Sequence, residues 1–168
     1  RLTTTGILDT KFGFSIETGH AEIAVQKVQE AKNLDLRGIH FHLGSPLFDL
    51  EPYNEAIPYV MQFAANMRDS YGLDMREFSP GGGFALGYKR DTLPLPISDY
   101  ADAIAEALRA GCDANGFDEP LLIVEPGRAL IGRAGVAVYT VGAIKEIPGV
   151  RTYVSVDGGM GDNIRPAL

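Results

Sequence analysis

The chain lacks a second cysteine, an excess of cations and any long apolar run. Its 168 residues hold a single cysteine, Cys112, so no disulfide can close within the chain, and a reducing compartment fits. No catalytic His or Asp motif flanks that thiol in Arg109-Ala110-Gly111-Cys112-Asp113, and its reading is structural rather than nucleophilic. Against 22 Asp and Glu stand 15 Lys and Arg, giving a net charge of -7 with no basic cluster to offset it. That balance excludes a nucleic acid or an anionic membrane surface as the expected partner, and a small molecule is expected instead. No stretch approaches the ~20 apolar residues that cross a bilayer. Arg1-Leu2-Thr3-Thr4-Thr5 also lacks the apolar stretch of a signal peptide, so a cytoplasmic protein is expected. What is present, 45% hydrophobic and 22% charged residues, is enough for a soluble domain with a sizeable core.

Hydrophobic spacing divides the chain into alternating elements. Thr10 to Ser15 reads as a short strand, followed by Thr18 as N-cap of a helix over Gly19 to Lys32. Leu36 to His42 reads as a strand. Glu51 to Tyr71 carries helical spacing through Ile57, Val60, Met61, Ala64 and Met67, and Pro58 predicts a kink or a late start. Asp74 to Ser79 is the next strand, and a second long helix is expected from Ser98, its N-cap, to Ala110, with Gly111 past its end. Leu121 to Glu125 closes the series. Strands alternating with helices imply an α/β fold with a parallel sheet and a site at the C-terminal strand edge; a doubly wound sheet satisfies this as well as a barrel. After Arg128 the pattern becomes antiparallel: residues 135–145 and 152–157 read as strands around the turn Ile147-Pro148-Gly149. A boundary is therefore expected near 131–134. About four strand-helix units stand where a closed barrel takes eight, and the β part stops after two strands, so both ends read as cut.

Three strand ends carry the polar residues. In Ile123-Val124-Glu125-Pro126-Gly127-Arg128 an apolar run ends at a carboxylate, and a Pro-Gly turn then presents a guanidinium. Glu125 is costly to bury unless it meets a cation or a protonated ring nitrogen; a salt bridge to Arg128 or Arg165 is the plainer reading. Arg128 suits a phosphate or carboxylate through its bidentate fork, or is a solvated helix-start arginine. The run Gly81-Gly82-Gly83 lets backbone N–H groups approach an anion, although such a triplet is commonly only a turn. It is neither a Walker loop nor a dinucleotide fingerprint. His40 and His42 lie two apart on one strand and share a face, where one can lie on a planar ligand or both pack structurally. A metal pair lacks a third ligand. The polar turn from Asp157 to Pro166 follows the last strand and reads as a surface loop.

Taken together, His42-Leu43-Gly44-Ser45, Gly81-Gly82-Gly83-Phe84, Glu125-Pro126-Gly127-Arg128, Val156-Asp157-Gly158-Gly159-Met160 and Arg165-Pro166-Ala167-Leu168 resemble, in order and spacing, the diaminopimelate decarboxylases. These are pyridoxal-phosphate enzymes of the alanine-racemase-like class, and the resemblance runs from about Lys11 to the last residue. It implies a partial (β/α)8 TIM barrel over residues 1–132 that runs into the beginning of a C-terminal antiparallel β domain over 133–168. It also implies pyridoxal 5'-phosphate as cofactor. By family position His42 stacks on the pyridine ring and Glu125 faces its nitrogen. Ser45, Gly81, Gly82, Gly83, Gly127 and Arg128 hold the phosphate, and Arg128 and Arg165 meet the substrate carboxylate. The implied reaction is α-decarboxylation of meso-diaminopimelate to L-lysine by an intact homodimer.

The departures from the family are specific. Its Schiff-base lysine lies upstream of anything matched here, and Lys11, Lys27, Lys32, Lys89 and Lys145 do not replace it, so no catalytic residue is assigned and the chain is expected to be inactive alone. A sister decarboxylase acting on ornithine, arginine or carboxynorspermidine, a non-catalytic cofactor-binding fragment and a metal-dependent hydrolase using His40 and His42 are the competing readings.

Overall fold

The computed structural model describes residues 11–87 and 93–164. The chain divides into two compact units, Arg1–Gly132 and Arg133–Leu168. In the first, helix α1 (His20–Glu30) precedes strand β1 (Gly38–His40) and helix α2 (Glu51–Tyr71); strand β2 (Glu77–Ser79), helix α3 (Ile97–Asn115), strand β3 (Leu121–Leu122) and the short helix α4 (Gly127–Ile131) follow. The second holds strands β4 (Val141–Ile147) and β5 (Arg151–Val156).

The fold is α/β. Strands β1, β2 and β3 lie side by side in that order, all parallel, with His40 opposite Ser79 and Phe78 opposite Leu122. Each is shorter than its apolar run predicts, but single backbone bonds carry the pairing onward. Phe41 donates to Ser79 at 3.0 Å, Ile123 to Phe78 at 2.9 Å and Glu125 to Gly81 at 2.9 Å. Strand alternation sends Ile39, Phe41, Phe78 and Leu122 into the core with α2 and α3. On the opposite face Gly38, His40, Glu77, Ser79, Ile123 and Glu125 line a concavity of about 470 Å³.

Helix α2 spans the predicted residues without stopping at Pro58. The missing donor costs a helix about 3 kcal/mol, and the packing of Tyr53, Ile57, Met61 and Ala64, none with any exposure, outweighs it. Helix α3 differs from expectation at both ends. It starts after Pro96 rather than at a Ser98 cap, and it runs past Ala110 to a left-handed Gly116, φ 67°. Gly111 is interior because a Cβ there would lie 2.7 Å from Met61 Cγ of α2, so the glycine permits close packing and ends nothing. Arg68 secures the true end by donating from Nη1 to the Asn115 carbonyl at 2.7 Å while its guanidinium lies 4.6 Å from the Phe117 ring centre.

The expected strand at 10–15 is a correction. Thr10 lies outside the described residues, and Lys11 to Ser15 form bends and irregular chain rather than a strand, with Gly13 at φ 66°. The N-cap of α1 is Gly19, not Thr18, whose hydroxyl instead meets His20 Nδ1 at 2.7 Å, and the helix ends at Glu30, short of Lys32. In the second unit β4 and β5 form an antiparallel hairpin around Gly149, φ 75°, and residues 135–140 are not strand. Thr140 N–H donates to the Asp157 carboxylate at 2.8 Å, which holds that carboxyl below its ordinary range.

Candidate functional site at the C-terminal strand edge

Beyond β1 the chain delivers His42, exposed, and Ser45, half-buried. Beyond β2 it delivers the glycine loop, and beyond β3 Glu125 and the first turn of α4. The three strand ends converge through their backbones. Gly82 N–H donates to His42 Nδ1 at 3.4 Å. Gly82 also pairs in parallel fashion with Glu125, and Leu47 N–H donates to Gly83 O at 2.8 Å.

Gly81 adopts φ 75°, and a Cβ at that position would stand 2.6 Å from Phe41 O and 2.9 Å from His42 Nδ1. Only glycine lets the β2 loop lie this close to the β1 loop. The Ser79 hydroxyl, buried, accepts the Gly81 N–H at 3.3 Å and steadies the turn from inside.

Glu125 and His40 share the concave face. Nε2 of His40 lies 3.4 Å from Oε2 of Glu125, with about half of each side chain exposed. Among the described residues it is this imidazole, and not the Arg128 guanidinium, that lies beside the carboxylate. Arg128, half-buried in α4, makes no ion pair or side-chain hydrogen bond among the described residues, and the Cβ direction of Gly127 is open to 4 Å. Arg165 and Lys89 lie outside the described residues. The two histidines do not act as a pair: His40 faces Glu125 while His42 faces Gly82.

Two buried tyrosines that apolar spacing does not single out hold the loops from beneath. Tyr53 of α2 donates to Gly82 O at 2.7 Å, and Tyr100 of α3 donates to Leu47 O at 2.6 Å. Burial pushes both phenols up, so each stays a donor. The available signal was chemical: a tyrosine on an apolar helix stripe brings a hydroxyl that needs a partner. The resulting edge offers an exposed imidazole, a carboxylate and a guanidinium around a tightly packed glycine loop, a set able to grip opposite ends of an anionic molecule with a basic ring.

Residues 1–132 match the family model described as pyridoxal-dependent decarboxylase, pyridoxal binding domain. The diaminopimelate decarboxylase of Bacillus subtilis is 44% identical over 165 residues, a match covering 98% of this chain and 38% of that protein. The crystal structure of diaminopimelate decarboxylase from M. jannaschii superposes with a TM-score of 0.85 at 35% identity, covering 98% of this chain and 37% of the other. The complex of that protein with L-lysine gives a TM-score of 0.84 at 35% identity, covering 97% of this chain and 37% of the other. The chain thus spans well under half the length of the relatives it matches.

Proposed function

The chain belongs to the pyridoxal-dependent decarboxylase family, and from that premise we propose that it is part of an enzyme that removes one α-carboxylate of meso-diaminopimelate as carbon dioxide and releases L-lysine. The observation that carries this reading is the convergence of His42, the Gly81-Gly82-Gly83 loop and Glu125 on one strand edge, in a chain 44% identical to a diaminopimelate decarboxylase.

The donor set fits pyridoxal phosphate. His42 presents an exposed ring for stacking, and Glu125 is a carboxylate that holds a proton at the pyridine nitrogen. Ser45, Arg128 and the Gly83 backbone bring a hydroxyl, a guanidinium and an amide for the phosphate, while Gly81, Gly82 and Gly127, whose N–H groups donate to Ser79 Oγ, His42 Nδ1 and Glu125 O, shape the loops around it. When bound, the cofactor supplies the electron sink for the bond pair left as carbon dioxide departs. By keeping the ring nitrogen protonated, Glu125 deepens that sink. Arg128 and Arg165 fix substrate carboxylate by charge and bidentate hydrogen bonding.

Three parallel strands with α2 and α3 against one face and a concavity holding His40, Ser79 and Glu125 on the other support reading residues 1–132 as part of a (β/α)8 barrel. The antiparallel pair of β4 and β5 supports reading 133–168 as the beginning of a β domain. The intact enzyme is read as a cytoplasmic homodimer acting on an amino acid; among the described residues no helix is long and apolar enough to cross a membrane.

The test is a chimaera in which the remaining segments come from the Bacillus subtilis relative. With added pyridoxal phosphate and meso-diaminopimelate, equal amounts of L-lysine and carbon dioxide are expected. Faster turnover of ornithine, or release of neither product, would overturn the assignment.

A further inference from the structure

The two loops read as phosphate-binding are anchored to hydroxyls that lie wholly inside the core. Tyr53 and Tyr100 have no exposure. Tyr53 OH reaches Gly82 O at 2.7 Å, while Tyr100 OH donates to Leu47 O at 2.6 Å and accepts Ala85 N–H at 3.4 Å. The Phe84 ring stacks on Tyr100 at 4.8 Å and meets Tyr53 edge-on at 6.1 Å, so neither phenol has room to turn away. Phenylalanine would fill the same apolar space; the hydroxyls serve only the loops.

The consequence for the glycine loop follows from peptide planarity. In a trans peptide the carbonyl of one residue and the N–H of the next point in opposite directions. With Gly82 O drawn down to Tyr53, the N–H of Gly83 faces away from the core. Tyr100 ties Leu47, two residues beyond Ser45, to Ala85, two residues beyond Gly83, and so sets the spacing of the two loops.

We propose that Tyr53 and Tyr100 are positioning residues for phosphate recognition, fixing from α2 and α3 the backbone that meets the ligand. This rests on reading the Gly81–Gly83 and Ser45 loops as the phosphate site. Two ligands separate the proposal from that reading: pyridoxine 5'-phosphate and pyridoxine, which carry no aldehyde and so form no adducts with surface lysines.

In titrations of the 168-residue chain, Tyr53→Phe weakens pyridoxine 5'-phosphate by about tenfold, the size of one lost hydrogen bond, and leaves pyridoxine unchanged. Without any ligand, the amides of Leu47 and Glu125, which donate to the carbonyls flanking Gly82, exchange faster in Tyr53→Phe while those of mid-α2 and mid-α3 stay protected. Leu108→Val, a core change two helical turns along α3 from Tyr100 that removes no hydroxyl, leaves the ratio of the two affinities where it was. If Tyr53→Phe does not fold, Tyr100→Phe is read in the same way at Leu47 and Ala85. Equal loss for both ligands, or no loss in either tyrosine variant while the unaltered chain still prefers the phosphate ester, overturns the positioning role alone. An unaltered chain that binds both ligands equally overturns the phosphate reading and the proposal with it.

Discussion

The imidazole of His40 meets the carboxylate of Glu125 across the intervening strand β2, Nε2 to Oε2 at 3.4 Å. Both side chains are about half exposed, so water screens the attraction and the pair adds little to stability. Its effect is one of aim: the carboxylate ends on the concave face, beside Ser79 and Ile123, and not folded back onto Arg128.

Glu125→Gln keeps the shape and removes the charge that holds a proton at the ring nitrogen. In the chimaeric enzyme turnover of meso-diaminopimelate is expected to fall by about 10²-fold or more, the usual cost of losing one preorganised electrostatic group. Steady-state measurement of kcat checks it, and a change confined to KM would contradict the role given to this carboxylate.

Gly81→Ala forces a left-handed residue to carry a Cβ against Phe41 O and His42 Nδ1. A loss of about 1–3 kcal/mol in folding stability is expected. Urea unfolding followed by far-UV circular dichroism gives the value; an unchanged midpoint would mean that the loop relaxes at no cost.

Arg76 and Arg37 bond to Asp35 and hold its carboxyl below the ordinary range. The folded-state pKa is lower than the unfolded one, so the stabilisation is complete above the unfolded value of about 3.9 and is lost as pH falls through the folded value. Arg76→Gln should therefore lower the unfolding midpoint at neutral pH, with the gap to the unaltered chain closing in strong acid. A gap that widens on acidification would show that another group dominates.

Cys112 is 1% exposed, and burial pushes its thiol up, which disfavours the reactive thiolate. A disulfide reagent is expected to label it only as fast as the first unit opens, with rapid labelling in denaturant. Immediate modification of the folded chain would contradict the packing of α3.

Much of this architecture was legible from spacing. The ends of α2 fall where the periodicity of Ile57, Met61 and Ala64 placed them, because that stripe is the buried face. His42, the glycine run and Glu125 were legible as a group because polar residues at the ends of apolar runs collect at one edge of a parallel sheet. Gly111 was misread, since a glycine beside an apolar stripe looks the same whether it stops a helix or admits a neighbour; only the position of Met61 decides. Tyr53 and Tyr100 escaped for a related reason. Each continues a helical apolar stripe, and the carbonyl its hydroxyl meets is 29 residues away in one case and 53 in the other.

Met61 stands two helical turns along α2 from Tyr53, and Gly111 stands three along α3 from Tyr100. The bare backbone at 111 sets how near the two helices lie, and that gap is inherited at their N-terminal ends, where the phenol rings sit 6.4 Å apart. The spacing between the loops at the sheet edge is therefore gauged in part by a hydrogen atom on the far side of the domain. A methyl group added there acts as a wedge at the hinge end of a pair of tongs whose tips are the carbonyls of Leu47 and Gly82.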